Sequence, residues 1–282
     1  MTTNTYTLRM AEPNIWQIQD VLGDCAYVVV GERAAALVDT TIGYGDLKSA
    51  VRRVTTLPLT ILLTHNHYDH SGGTGWFSEV HAAPEEAALL ARDAQRGSRV
   101  HEKLMRNGEL SEGVPFALRD GCAPRVLPLA EGDRFELGGL TLEAVALPGH
   151  TAGSMGFLVQ ERSVLLSGDA VTPVMCLFLE ESLGITEYRQ TLAKMRTLDF
   201  ERFYTGHHAV AFTKRDLQSF DACAQYAQTA RGITWRHTLL SEFVGTAYLP
   251  PCETADANSP DFRALIGPYV PKKRGVRSGG AR

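Results

Sequence analysis

One six-residue segment constrains this sequence more than any other feature. It reads His65-Asn66-His67-Tyr68-Asp69-His70 and carries three imidazoles and one carboxylate. Buried imidazoles and charges are costly unless they are paired or bound to a metal, so four such groups in six residues do not fit simple core packing. The segment follows a short apolar run, Leu59–Thr64, which predicts that it lies at the end of a buried strand.

Three further residues of the metal-binding type lie in similar places. His150, Asp169 and His207 each come a few residues after a predicted strand. Loops at strand ends are where α/β sheets and sandwiches place their chemistry, so we expect these groups to meet. The full candidate set is His65, His67, Asp69, His70, His150, Asp169 and His207.

The residue types also indicate which ions would bind. Imidazole nitrogens suit a borderline ion such as zinc, and carboxylates add charge neutralisation. One ion is assigned to His65, His67 and His150. A second is assigned to Asp69, His70 and His207, with Asp169 bridging the two. Each ion keeps an open position, so a hydroxide shared between ions about 3.5–4 Å apart would act as a nucleophile.

Composition bounds the remaining possibilities. With 282 residues, 44% of them hydrophobic, the chain can form one sizeable α/β domain or two small ones. A formal charge of −4 makes nucleic acid a poor expected partner. We expect neither a signal peptide nor a membrane span, because the required apolar runs are missing. Five scattered cysteines without a CxxC pair favour reduced thiols and a cytoplasmic location.

These residues resemble the motifs of the metallo-β-lactamase superfamily. The segment His65–His70 is similar to its hallmark motif, and three shorter segments are similar to the motifs that follow: Pro148-Gly149-His150-Thr151, Ser167-Gly168-Asp169 and Thr205-Gly206-His207. The resemblance covers roughly residues 14–231. It implies the metallo-β-lactamase fold, an αβ/βα sandwich of two mixed sheets with outer helices. It also implies two bound zinc ions, or sometimes iron or manganese.

The pattern along the chain predicts one main domain at residues 1–240. It contains an insertion at about 95–124, where the sequence is polar and interrupted by glycines, with one helical piece near Val100–Arg106. Residues 241–282 are expected to form an irregular extension with a basic tail. The insertion and the apolar segment 171–184 are expected to cover the site.

Several other residues are assigned to the surroundings of the metals. Asp39 is expected to lie outside the ligand set and to orient a metal ligand, because its position resembles an early strand end of the superfamily. Tyr68 is expected to line the pocket wall, and His208 to lie outside the ligand set or face solvent. Three histidines are predicted to have no function: His81, His101 and His237.

The leading functional hypothesis is a two-metal hydrolase acting on a small ester, thioester, lactone or phosphoester. Asp69 and Asp169 are its expected catalytic residues. The alternative is an iron-dependent redox enzyme, similar to persulfide dioxygenases or oxygen-reducing diiron proteins, because the same side chains can hold iron. A non-catalytic scaffold is disfavoured, since none of the seven ligands is missing. The sequence leaves the substrate and the oligomeric state open.

Overall fold

A computed structural model describes residues 5–251, 254, 256 and 259–268 of the chain. Cys252 and the basic tail lie outside these described residues. No helix in the described part is long and apolar enough to cross a membrane.

The first sheet is formed by the N-terminal part of the chain, and its strands lie side by side in chain order. They are β1 (Thr7–Glu12), β2 (Ile15–Gln19), β3 (Cys25–Val30), β4 (Ala35–Val38), β5 (Leu59–Leu62), β6 (Glu79–Ala82) and β7 (Arg125–Pro128). Pairing is antiparallel from β1 to β4 and parallel from β4 to β7. The strands β3 and β4 form the hairpin that their apolar runs predict.

The second sheet is formed by the following part of the chain. Its strands are β8 (Arg134–Glu136), β9 (Thr141–Ala146), β10 (Met155–Val159), β11 (Val164–Gly168), β13 (Arg202–Thr205) and β14 (Phe212–Thr213). Their order across the sheet is β14-β13-β11-β10-β9-β8. The parallel pairing of β11 with β13 brings the loops after these two strands to the same edge.

Side chains that alternate along the strands build two faces on each sheet. In β3, Tyr27 and Val29 enter the core between the two sheets, whereas Ala26 and Val28 enter the core on the outer side. In β11, Leu166 joins the shared core and Leu165 joins the outer one. Each sheet therefore has one face on its partner sheet and one face available for helices.

Helices cover the outer faces. The helix α1 (Leu47–Arg52) packs on the first sheet through Leu47 and Val51. On the second sheet lie α6 (Ile185–Thr197) and α7 (Leu217–Thr229), which bury Leu192 and Phe220. The result is an αβ/βα sandwich, so the predicted fold class is confirmed. Along the chain, the remaining helices come between β5 and β7 of the first sheet. They are α2 (Tyr68–Ser71), α3 (Pro84–Ala87), α4 (Leu90–Arg106) and α5 (Ala117–Asp120).

The helix α4 corrects part of the expected insertion. A helical piece was expected only near Val100–Arg106, but the helix already begins at Leu90 and runs without a break to Arg106, over 17 residues. Gly97 does not interrupt this helix. It allows a close approach instead, because a Cβ atom there would lie 2.9 Å from the Cβ of Tyr68 and 2.8 Å from a methyl group of Leu118.

A third, smaller sheet corrects the expectation of an irregular C-terminal extension. It contains β12 (Val174–Cys176), β15 (Ile233–Arg236), β16 (Val244–Tyr248) and β17 (Ala264–Pro268), in the order β12-β17-β16-β15. Two of these strands lie in the segment expected to be irregular. The sheet ties residues after Asp169 to the C-terminal part of the chain, so that part contributes to the surroundings of the site.

Candidate metal centre

All seven predicted ligands lie at the same edge of the sandwich. The four in His65–His70 follow β5 of the first sheet, and α2 starts within this segment, so the segment expected to be a loop at the strand end is partly helical. His150, Asp169 and His207 follow β9, β11 and β13 of the second sheet. The structure thus brings the ligand-bearing loops of both sheets together.

Three imidazoles converge in the first group. The Nδ1 atom of His67 lies 3.1 Å from Nε2 of His65 and 2.9 Å from Nε2 of His150. All three residues are buried. Three nitrogen atoms that face one another at such distances fit a shared cation, because imidazole binds metal through an unprotonated nitrogen.

The second nitrogen of each ring in this group has a protein partner. Nδ1 of His65 lies 3.0 Å from the hydroxyl of Thr64, and Nδ1 of His150 lies 2.8 Å from the carbonyl oxygen of Cys176. Nε2 of His67 lies 3.1 Å from a carboxylate oxygen of Glu181. These contacts fix the rings and leave the facing nitrogens for an ion.

The second group contains Asp69, His70 and His207. Oδ1 of Asp69, Nε2 of His70 and Oδ1 of Asp169 are buried and make no hydrogen bond within the described residues. Buried polar atoms are almost always paired, so three such atoms at one place call for an explanation. A bound cation would satisfy all three.

Asp169 lies between the two groups. Its Oδ2 is 2.9 Å from Nε2 of His207 and 3.9 Å from Nε2 of His150, and its Oδ1 is 3.5 Å from Nε2 of His70. A glycine at position 206 permits this packing, because a Cβ atom there would lie 2.2 Å from the ring of His70. Asp169 therefore contacts ligands of both groups, as a bridging carboxylate must.

Two carboxylates outside the ligand set hold the second group. Asp39 lies 2.8 Å from Nδ1 of His70 and accepts hydrogen bonds from the backbone N–H and the hydroxyl of Thr64. Asp24 lies 2.9 Å from Nδ1 of His207. We expected Asp39 to orient a metal ligand. We did not expect this of Asp24 or Glu181, because neither residue belongs to a recognisable motif.

The protonation preferences differ among the ligands. Burial opposes a charge on His67, His70 and His207, but neighbouring carboxylates outweigh it and raise the pKa of each ring, so these rings must release a proton when an ion binds. His65 and Asp169 already have the forms that bind metal. Burial, together with the neighbouring imidazoles, lowers the pKa of His65 well below its usual value, so this ring is neutral. Burial alone would raise the pKa of Asp169, but His207 and His70 outweigh it and hold the pKa well below its usual value. A neutral imidazole and an ionised carboxylate are the forms that bind metal.

The donor set fits a pair of divalent cations. It consists of five imidazoles and two carboxylates, which suit borderline ions such as zinc and also iron. His67, Asp93 and Glu181 form another acidic cluster, but Arg92 and Arg96 already neutralise it at 2.8 Å from Glu181. That cluster is an ion-pair network and needs no ion.

A cavity of about 260 Å³ opens beside the ligands. Tyr68 lines it, and so do Phe178 and Leu179 of the segment expected to cover the site. The expected insertion contributes Arg96 to the described lining. His237, which we predicted to have no function, also lines this cavity.

His208 has a different position from its neighbour His207. It is not part of the described lining, and its ring lies 6.3 Å from that of Phe212. Its backbone carbonyl oxygen accepts a hydrogen bond from Gln17. His208 thus contacts the surrounding core, and its role as a supporting residue stays a prediction.

Known proteins resemble this chain in sequence. The chain is 31% identical over 207 residues to the lactamase-like protein vrtG of Penicillium aethiopicum, covering 72% of this chain and 56% of that protein. It is 32% identical over 161 residues to the acyl-coenzyme A thioesterase MBLAC2 of Gallus gallus, covering 51% of this chain and 56% of the relative. The chain thus spans about half the length of these curated relatives.

The fold is similar to that of a solved metallo-beta-lactamase from Pontibacter korlensis. The TM-score is 0.58 at 16% identity, over 78% of this chain and 99% of that one. The family model of the metallo-beta-lactamase superfamily matches residues 22–207, which include all seven candidate ligands. The chain therefore belongs to the metallo-beta-lactamase superfamily.

Proposed function

We propose that this protein is a two-metal hydrolase, with zinc as the expected metal, and that it cleaves a small-molecule thioester. The observation that carries the proposal is the convergence of seven ligand side chains beside an apolar cavity. Two bound divalent ions would lower the pKa of a water molecule and polarise a substrate carbonyl group.

The chain's own residues would divide the work as follows. The two histidine groups hold the ions, and Asp169 fixes the spacing between the groups through its contacts with both. Burial raises the pKa of Asp69, but His70 and His207 outweigh this effect, so its carboxylate is ionised. Asp69 lies on the cavity wall, where it can accept a proton from water.

The reaction is a simple acyl transfer to water. Water adds to the carbonyl carbon, the carbon–sulfur bond breaks, and the products are a carboxylic acid and a thiol. Asp69 receives the proton lost by water and can pass it to the departing sulfur.

Two observations favour a thioester over a phosphoester. Arg96 is the one lysine or arginine in the described cavity lining, and Asp93 and Glu181 already neutralise it. Beyond what metal ions contribute, phosphate recognition relies on available arginine or lysine donors. In addition, one of the relatives reported above is named as an acyl-coenzyme A thioesterase.

A substrate panel tests the proposal on protein loaded with zinc. It includes an acyl thioester, a lactone, a phosphodiester and a β-lactam, with oxygen uptake measured for the iron-loaded protein. We expect kcat/KM for the thioester to exceed the others at least ~100-fold. Asp69→Ala and Asp169→Ala should each lose on the order of 100-fold in kcat or more.

His81→Asn is the matched control, because His81 packs on Phe135 away from the cavity. It should retain the activity of the unaltered protein. Hydrolysis of another substrate class in preference to thioesters would overturn the substrate assignment. Oxygen consumption without thioester hydrolysis would instead support the iron-dependent redox alternative.

A further inference from the structure

Four rings from two separate segments form one wall of the cavity. Phe178 follows β12, whereas Trp235, His237 and Phe243 belong to β15 and the connection to β16. The ring of Phe178 lies 5.1 Å from Trp235 and 6.0 Å from Phe243, both edge to face. His237 lies 5.8 Å from Trp235 and 6.2 Å from Phe243. We call these four residues the aromatic wall.

The aromatic wall carries no net charge that could attract an ionic group. Arg96 lies over the ring of Phe243 at 5.0 Å, but its guanidinium also contacts Asp93 at 3.0 Å and Glu181 at 2.8 Å. These two carboxylates are nearly inaccessible to solvent, so the pairing is persistent. Apart from the proposed metal ions, a carboxylate or phosphate on the substrate would find no unpaired lysine or arginine in the described lining.

The size of the cavity limits the group that fits. Its volume is about 260 Å³. A cavity of roughly 150 Å³ in an apolar core binds benzene, so this cavity can hold one or two fused aromatic rings. Offset and edge-to-face contacts with the wall would add to the free energy of burial.

His237 gives the aromatic wall a polar ring whose protonation follows from its hydrogen bonds. Its Nδ1 atom accepts hydrogen bonds from the backbone N–H groups of Leu239 and Leu240, both at 3.0 Å. A nitrogen that accepts two N–H groups carries no proton. Burial also lowers the pKa of His237, so the ring is neutral and its single proton lies on Nε2. Nε2 is therefore a hydrogen-bond donor.

We propose that the aromatic wall is a recognition site for a flat, uncharged aromatic acyl group, and that Nε2 of His237 donates a hydrogen bond to an oxygen of that group. This inference rests on the proposed thioester hydrolysis for its biological meaning, but the binding site can be tested without any turnover. It assigns a role to a histidine that the sequence alone does not distinguish.

The test compares two ligands of nearly equal shape. 2-Acetylnaphthalene carries a carbonyl oxygen, and 2-isopropenylnaphthalene carries a methylene group in its place. Binding to the zinc-loaded full chain is measured by isothermal titration calorimetry. We expect the ketone to bind roughly five- to tenfold more tightly, the effect of one hydrogen bond that water does not replace.

Two variants of His237 distinguish the hydrogen bond donated by Nε2 from the turn that Nδ1 stabilises. In His237→Asn, the amide oxygen can still accept the backbone N–H groups, but the Nε2 donor is gone, so the preference for the ketone should vanish. In His237→Gln, an amide N–H can reach the former position of Nε2, so part of the preference should return. Trp235→Leu should weaken the binding of both ligands equally.

Three outcomes would overturn the inference: equal binding of the two ligands, a ketone preference that survives in His237→Asn, or unchanged binding in Trp235→Leu. Measuring thioester hydrolysis on the same protein distinguishes failure of the recognition site from failure of the proposed function. Hydrolysis of an acetyl thioester without selective ketone binding would contradict the recognition site alone. Selective ketone binding without thioester hydrolysis would contradict the proposed function alone.

Discussion

At His70, the two ring nitrogens have different surroundings. Nδ1 lies 2.8 Å from the carboxylate of Asp39, and Nε2 faces the cation site without a hydrogen bond in the described part of the chain. Asp39 adopts a left-handed backbone conformation, with φ of 62°, and also accepts two hydrogen bonds from Thr64. Such outer carboxylates orient a ligand ring and increase its basicity. Glu181 has the equivalent relation to His67.

Two isosteric variants should therefore weaken different ions. Asp39→Asn should reduce the affinity for the ion held by His70 by about 10–100-fold, and Glu181→Gln should do the same for the ion held by His67. Titration of metal-free protein against a chelating indicator would resolve two binding equivalents. If both variants weaken the same equivalent, the assignment of ligands to two separate ions is incorrect.

The ligands could be predicted from sequence because most lie in short motifs after strands. Their outer partners could not. Asp24 is 183 residues from His207 along the chain, and Glu181 is 114 residues from His67. Such pairs depend on how the two sheets pack, and no local pattern reports that packing. His237 was dismissed for the same reason.

At the scale of elements, α3 connects the two loops that carry the first histidine group. Its buried Glu86 accepts a hydrogen bond from the backbone N–H of Asn66 at 2.8 Å with one oxygen. The other oxygen accepts the N–H of Gly153 at 2.9 Å. One carboxylate thus links the loop of His65 and His67 to the loop that follows His150.

Replacing this carboxylate by an amide should be costly. In Glu86→Gln, the NH₂ group would face a backbone N–H, so one buried donor would lose its partner at a cost of ~1–3 kcal/mol. Urea unfolding measures this change in the free energy of unfolding. The exposed neighbour provides the control, since Glu85→Gln should change stability by less than ~0.5 kcal/mol. Equal effects of the two substitutions would contradict the linking role of Glu86.

The elements that sequence predicted least well are short or paired over long distances. The strand β12 has three residues and pairs with β17, about ninety positions later. β15 is largely exposed, so its side chains do not alternate between buried and exposed faces. Only the second part of α4 was expected to be helical because Gly97 has a low helix propensity, and in the structure Gly97 instead allows the close contact with Tyr68.

At the scale of the whole molecule, the candidate metal centre joins the two halves of the sandwich. The first sheet contributes His65, His67, Asp69 and His70, and the second contributes His150, Asp169 and His207. Each proposed ion takes ligands from both sheets. Neither half alone could hold either ion, so metal binding and the packing of the sheets depend on each other.

The central claim is that this chain holds two divalent ions at the edge between its sheets. Native mass spectrometry of the full chain, after reconstitution with zinc and removal of the excess, tests it most directly. The account predicts two zinc ions per folded chain, and loss of at least one of them in Asp169→Ala, because this carboxylate contacts both groups. A folded, unaltered chain that retains one ion or none would contradict the claim.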